Sequence, residues 1–123
     1  MSQLKIILHG RIPSKKNSRI TIARGNRVFN FPSNKYQSWH KEQSLLLMPF
    51  KIKRFEKTQM MEMKFYYPDK RRRDNINPAE SVLDFLVDNN IIVDDDYKCV
   101  PNLLLTFGDV DKNNPRVEIT ITP

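Results

Sequence analysis

The chain has 123 residues, the size of a single domain with one modest hydrophobic core. Its 21 Lys and Arg residues against 14 Asp and Glu give a formal net charge of +7, which favours a polyanionic ligand but equally fits a merely basic protein. A single cysteine excludes a disulfide framework and a Cys-rich zinc site, three glycines exclude a Gly-rich nucleotide-binding loop, and the apolar stretches are too short to span a membrane. We therefore expect a cytoplasmic protein with no membrane contact and no nucleotide cofactor.

The N-terminal part of the chain predicts a strand followed by a hairpin. Residues 4–10 form an apolar run typical of a strand. Two further runs, 20–22 and 28–31, flank the sequence Arg24-Gly25-Asn26, whose glycine favours a tight turn. The basic turn of this hairpin suits an arm that contacts nucleic acid.

The middle of the chain predicts a helix and then a strand. Residues 34–47 have helical spacing of apolar side chains, and Pro49 ends the helix. We expect Tyr36 and Trp39 of this helix in the core rather than as platforms for stacked bases. Residues 57–67 alternate between two sets of side chains, which predicts a strand with one buried face.

A second helix is the best-defined predicted element. Asn77 is a good N-cap and Pro78 suits the first helical position, while Asn89-Asn90 suits a left-handed exit at the C-terminus. The apolar side chains at helical spacing predict a stripe that faces a sheet, and they are Ala79, Val82, Leu83, Leu86 and Val87.

The C-terminal part predicts two closing strands. Residues 99–107 predict one strand, in which we expect Cys99 to be buried, and residues 117–121 predict another after the turn-rich segment 109–115. Strands and helices in this order predict an α+β fold for residues 1–123, in which two helices pack on a mixed sheet.

The strongest chemical signal lies between residues 67 and 96. The cationic run Lys70-Arg71-Arg72-Arg73 ends directly at Asp74, and the acidic triplet Asp94-Asp95-Asp96 follows the short apolar run 91–93. Phosphodiester chemistry needs such a pairing, because cations hold the backbone and carboxylates hold the Mg²⁺ that polarises the phosphate and activates water. Asp74 also precedes a helix N-terminus, whose dipole favours bound anions such as phosphate.

Three features occur together here: residues 68–74 with Asn77, the helix 79–86, and the pair Asp94-Asp95. In these features the chain resembles the RusA-type Holliday-junction resolvases, which are small, dimeric, Mg²⁺-dependent endonucleases of phages and prophages. Residues near the N-terminus are also similar to the family, but the specific match covers residues 65–96. The resemblance implies a homodimer that cleaves four-way DNA junctions and a bacterial, phage or prophage origin.

The family pattern also implies roles for single residues. In the family the basic run ends in Asp-x-Asp-Asn, and the second residue of a later Asp-Asp pair is a further essential Asp. Without gaps, Asp74 matches the first Asp, Asn77 the Asn, and Asp95 the late Asp. The middle Asp falls on Ile76 and the helix Lys falls on Glu80, so two of the four expected positions are changed.

Each candidate also has a structural interpretation. Asp74 could neutralise the arginines or cap a turn, and the triplet 94–96 could be a solvated turn. Glu80 stands three residues after Asn77, which is the position of the Glu in a capping box, so capping and metal binding are both open. We predict three residues that are both catalytic and ligands of Mg²⁺, or of Mn²⁺ in its place: Asp74, Asp95 and Glu80. The predicted phosphate contacts are Lys15, Lys16, Lys70, Arg71, Arg72 and Arg73, and the residues predicted to orient the ligands are Asn77 and Asp94.

These inferences predict a homodimeric, Mg²⁺-dependent endodeoxyribonuclease that cleaves four-way junctions during recombination and repair. Two other functions are open. One is a non-cleaving module that recognises junctions by shape and has a degenerate metal site. The other is a structural RNA-binding protein.

Overall fold

The computed structural model describes residues 3–13, 19–25, 27–32 and 34–123, and for residues 19–24 and 27–32 it describes the backbone alone. Within these ranges the chain forms six strands and two helices. In chain order they are β1 (Leu4–His9), β2 (Arg19–Arg24), β3 (Arg27–Pro32), α1 (Asn34–Leu47), β4 (Met60–Tyr67), α2 (Ile76–Asp88), β5 (Leu103–Val110) and β6 (Arg116–Thr122).

A four-stranded sheet in the order β1-β6-β4-β5 organises the fold. Strand β6 is antiparallel to both β1 and β4, whereas β4 and β5 are parallel. A parallel pair needs a crossover connection, and α2 provides it between β4 and β5. Strands β2 and β3 form a separate antiparallel hairpin, with Gly25 at a φ of 59° in its turn.

The core lies between one face of this sheet and the two helices. Alternate side chains of β4 and β6 are buried, as expected for a sheet covered on one side. Helix α1 packs on α2 through Trp39 and Phe85, whose ring centroids lie 5.4 Å apart. Fully buried apolar side chains of this kind stabilise a fold by about 1.5–3 kcal/mol each. In the sheet and α2 they are Met61, Met63, Val117, Ile119, Ile121, Val82, Phe85 and Leu86.

The structure confirms the predicted fold class, an α+β arrangement of a mixed sheet and two helices. Helix α1 has the predicted bounds, and Tyr36 and Trp39 are buried in the core as predicted. The hairpin has the predicted turn, although its strands are longer than the two predicted runs. None of the described helices is long and apolar enough to cross a membrane.

The predicted start of the fifth strand is wrong. Cys99 is buried, but it lies in a turn, and β5 begins only at Leu103. The Asp96 carboxylate causes this turn, because its Oδ1 accepts the backbone N–H groups of Lys98 at 3.1 Å and Cys99 at 2.9 Å. The apolar run before Asp94 also forms no full strand, since Ile92 makes only an isolated bridge to residue 55.

The predicted start of the second helix is wrong as well. Helix α2 begins at Ile76, so Asn77 and Pro78 lie inside its first turn rather than at the N-cap and the first position. The buried stripe is also displaced, because Phe85 is fully buried while Leu83 is only partly buried. The C-terminal exit is as predicted, with Asn90 in the left-handed region at a φ of 57°.

Candidate active site

The sheet places three strand ends and one helix start around a single pocket. Register pairs join His9 to Arg116 and Tyr66 to Arg116, so the ends of β1 and β4 meet the start of β6. Helix α2 begins at the same edge of the sheet, because it follows β4 in the chain. The resulting pocket has a volume of about 300 Å³ and is lined by residues 10–12, 65–68, 73, 74, 77, 78, 115 and 116.

Asp74 lies in this pocket and determines where α2 starts. Its Oδ1 accepts the backbone N–H of Ile76 at 2.7 Å, and its Oδ2 accepts the side-chain amide of Asn77 at 2.9 Å. The predicted association of Asp74 with Asn77 is therefore present. A carboxylate oxygen has two lone pairs, so each oxygen of Asp74 keeps acceptor capacity after these bonds. Asp74 combines a capping role with an exposed anionic group.

The basic loop, residues 68–75, is organised around Asp69. Its Oδ1 lies 2.8 Å from the Arg73 guanidinium and accepts the backbone N–H of Arg71 at 2.9 Å. The bond from Arg73, and then the bond from Arg71, lower the pKa of Asp69 to about 2. Arg73 also lies 4.8 Å above the centroid of the Tyr67 ring. Arg73 therefore holds the loop together.

The other predicted phosphate contacts have different surroundings. Lys70, Arg71 and Arg72 are exposed, with 82% of the Arg71 side chain in solvent. Arg71 Nε makes a loose ion pair with Asp69 Oδ2 at 3.9 Å, and all three side chains are open to an external anion. Lys15 and Lys16 lie outside the described residues, so their predicted role stays a prediction.

The structure adds a residue that sequence reasoning missed, Arg116. Its guanidinium bonds Glu118 and Asp111, both at 2.9 Å, and lies 3.8 Å from the centroid of the Tyr66 ring. The bonds to Glu118, and then to Asp111, raise the pKa of Arg116, and the bond from Arg116 lowers the pKa of Glu118. The pairing of Arg116 with Tyr66 depends on strand register, which the local sequence does not specify.

In the acidic loop, residues 94–96, two of the carboxylates accept hydrogen bonds from backbone N–H groups. Asp94 Oδ1 accepts the backbone N–H of Asp95 at 2.8 Å, whereas Asp96 holds the turn that precedes Val100. Partial burial, and then hydrogen bonding and repulsion from Asp94, raise the pKa of Asp95. Asp84 in the second half of α2 adds to this repulsion. The acidic loop therefore lies beside the later turns of α2, while Asp74 lies at its first turn.

Glu80 lies on α2 between these two positions. Because the helix begins at Ile76 and no capping-box bond forms, the capping interpretation of Glu80 is wrong. The Glu80 side chain is exposed and makes no hydrogen bond or ion pair with the described residues. Asp84 follows one turn later on the same side of the helix. Glu80 and Asp84 therefore lie on one side of α2, and Asp84 is close enough to Asp95 to repel it.

No three His, Cys, Asp or Glu side chains in the described part of the chain are grouped closely enough to hold a metal ion. The assignment of Asp74, Glu80 and Asp95 as metal ligands stays a prediction. The donor chemistry itself fits a hard divalent cation, because all three residues offer exposed carboxylate oxygens.

Comparison with known proteins identifies the family. No curated protein matches the chain. A family model described as endodeoxyribonuclease RusA matches residues 10–122, which is nearly the whole chain and includes both loops. The resemblance seen in residues 65–96 is therefore confirmed over residues 10–122. The chain belongs to the RusA endodeoxyribonuclease family.

Proposed function

We propose that this protein is a divalent-cation-dependent endodeoxyribonuclease that cleaves Holliday junctions and other branched DNA during recombination and repair. Membership of the family supports the nuclease activity. The observation that carries the proposal is the position of Asp74, which lies just before α2 in a pocket that Arg11, Arg73 and Arg116 also line. Cations and a helix N-terminus suit a DNA phosphate, and the carboxylate beside them suits the divalent cation of the proposed reaction.

The chain supplies distinct groups for binding the DNA backbone. Arg11 on the pocket rim and the exposed cations of the basic loop bind phosphates on either side of the reacting one. Arg73 and Arg116 contribute indirectly, because each is tied to neighbouring carboxylates and holds part of the pocket in place. The net charge of +7 attracts the polyanion over longer distances.

The proposed ligands of Mg²⁺, or of Mn²⁺, are Asp74, Asp95 and Glu80. Asp74 keeps lone pairs free for a cation, and Asp95 lies close to Asp94, whose like charge a cation would neutralise. When bound, such a cation polarises the scissile phosphate and lowers the pKa of a water for in-line attack. Asn77 and Asp94 orient Asp74 and Asp95 through the hydrogen bonds described above.

We further propose that the protein acts as a homodimer. Resolution of a four-way junction requires two symmetric cuts, and a two-fold dimer presents two identical sites to the junction.

A non-cleaving junction-binding module is the second candidate function. The observation in its favour is Ile76, which is 57% exposed at the position where the family pattern has its middle Asp. An aliphatic side chain cannot ligate a cation, so the site depends on another oxygen donor.

The test uses a labelled four-way junction and a matched linear duplex, each with and without Mg²⁺. We expect paired, symmetric cuts in the junction that require Mg²⁺, no cuts in the duplex, and no cutting by Asp95→Asn. Tight binding to the junction without cutting under any metal condition would reject the nuclease and support the binding module. Preferential binding to RNA in competition would reject both.

A further inference from the structure

A series of aromatic rings runs from the core to the surface beside the basic loop. Phe65 is buried, and its ring centroid lies 6.0 Å from that of Tyr67 at an interplanar angle of 10°. The Tyr67 centroid lies 6.2 Å from that of Phe107 at 16°, so the three rings are nearly parallel. Phe107 ends the series and is 62% exposed, so much of its ring is open to solvent.

The fold explains why Phe107 is exposed. It lies on β5, the last strand of the sheet, in register with Phe65 of β4. Among the described residues no strand pairs with the outer side of β5. An exposed aromatic ring offers a flat face on which a base can stack.

Three of the four charged groups around Phe107 are cationic. A pocket of about 300 Å³ is lined by the rings of Tyr67 and Phe107, by the cations Lys70, Arg71 and Arg73, and also by Asp69, Asn75 and Val110. Asp69 pairs closely with Arg73 at 2.8 Å and more loosely with Arg71 at 3.9 Å, and the side chains of Lys70 and Arg71 are exposed to an external ligand. A ring face next to two exposed cations matches a nucleotide, which offers a flat base and an anionic phosphate.

This second pocket adjoins the candidate active site. Tyr67 and Arg73 line both pockets, so their side chains form the wall between Phe107 and Asp74. A base stacked on Phe107 would belong to a nucleotide close to the phosphate at Asp74.

We propose that Phe107, backed by the Tyr67 ring, forms a stacking site for an unpaired DNA base next to the cleaved phosphate, with Lys70 and Arg71 contacting the phosphate of the same nucleotide. The proposal rests on the proposed function, because it takes branched DNA as the ligand. In a linear duplex both faces of each base are covered by its neighbours, whereas a base at a branch point can leave the stack. The site therefore favours branched DNA over linear DNA.

The first test measures binding in metal-free buffer, where no cleavage occurs. Phe107→Ala should bind a four-way junction about tenfold more weakly than the wild type, with unchanged duplex affinity and unchanged salt dependence. Phe107→Tyr keeps a ring and should bind like the wild type. Leu104→Ala is the matched control, because Leu104 is exposed on the same strand but on the opposite face.

The second test is a photocrosslink that does not depend on affinity. A junction carrying 5-iodouracil at the branch point should crosslink to Phe107, as identified by mass spectrometry of the digested complex. Crosslinks elsewhere, together with unchanged junction binding by Phe107→Ala, would overturn the stacking site even if the wild type cuts junctions.

Two further outcomes separate this proposal from its alternatives. A crosslink to Phe107 in a protein that cuts no DNA would support the stacking site and reject the nuclease function. A dimer that dissociates in Phe107→Ala, measured by sedimentation without DNA, would assign this surface to contact between two copies and overturn the proposal.

Discussion

Arg73 and Asp69 form an ion pair across the basic loop, with 2.8 Å between Nη1 and Oδ1. The same guanidinium donates to the backbone carbonyl of Arg71 at 3.0 Å and lies over the Tyr67 ring. Arg73 is thus held on three sides, and only 23% of its side chain is exposed. The basic loop therefore contains one structural arginine and three exposed cations, which should respond differently to substitution.

The first prediction concerns pH and Asp69. Its pKa is lowered from the usual 3.8 to about 2 in the folded chain. Because the folded value is the lower one, the ion pair stabilises the fold above about pH 4 and loses this contribution as pH falls towards about 2. We expect the wild type to melt above Asp69→Asn at about pH 5, with the difference disappearing towards about pH 2. Glu56→Gln, at an exposed acid, is the control, and a difference that stays constant with pH would contradict the prediction.

The second prediction concerns the salt dependence of DNA binding. Arg71→Ala and Arg72→Ala should each reduce the log–log slope of affinity against salt by about one and weaken all DNA sequences alike. Arg73→Ala should instead lower the melting temperature, because it removes the internal partner of Asp69. Affinity measured over a salt series, with thermal melts of the same samples, separates the two effects. Wild-type slopes in Arg71→Ala and Arg72→Ala would mean that these arginines do not contact phosphate.

The difference between Arg73 and its neighbours could not be predicted from the sequence of the basic run. The run Lys70 to Arg73 predicts a cationic surface, and three of the four side chains are exposed as expected. The fourth side chain, that of Arg73, is held against the loop by its ion pair with Asp69. This contact depends on the path of the loop, which the composition of the run does not specify. Local patterns were sufficient for α1, because its apolar spacing and Pro49 define it.

Two features of the site could not be predicted from local sequence patterns. The N-cap position of α2 is Asn75 rather than Asn77, because the Asp74 side chain accepts the Ile76 N–H and the helix begins two residues earlier than the sequence signal suggests. Arg116 enters the pocket through the pairing of β6 with β4, and the local sequence does not show this register.

A third prediction concerns Glu80. It makes no capping bond and is exposed, so Glu80→Gln should leave the melting temperature in metal-free buffer unchanged. If Glu80 supplies the oxygen that Ile76 lacks, the substitution should abolish Mg²⁺-dependent cutting of a junction, because an amide is a much weaker ligand for Mg²⁺. Full cutting activity in Glu80→Gln would remove it from the ligand set. Glu42→Gln, at an exposed helical acid outside the pocket, is the matched control.

A fourth prediction concerns Gly108 and Tyr66. A Cβ atom at position 108 would lie 2.7 Å from Tyr66 Cζ, and Arg116 covers the same ring at 3.8 Å. Because the ring has little room to move, Gly108→Ala should destabilise the fold by about 1–3 kcal/mol, as overpacking commonly does. Denaturant unfolding measures this, and Gly108→Ala combined with Tyr66→Ala should recover part of the loss. Wild-type stability in Gly108→Ala alone would show that the ring moves aside freely.

Asp74 provides the most direct test of the nuclease assignment. Asp74→Asn keeps an oxygen that can accept the Ile76 N–H, so its melting temperature should stay close to that of the wild type. Asp74→Ala loses this cap and should be less stable by about 1 kcal/mol. The two variants therefore separate the structural role of Asp74 from its chemical one.

The decisive measurement is the single-turnover cutting of a labelled four-way junction by Asp74→Asn in Mg²⁺. Binding and melting of the same protein sample are measured beside it. We expect no cutting, with junction binding as tight as that of the wild type or tighter, because a negative charge is removed from a cationic site. Cutting at the wild-type rate by this folded, DNA-binding variant would contradict the assignment of Asp74 to the active site.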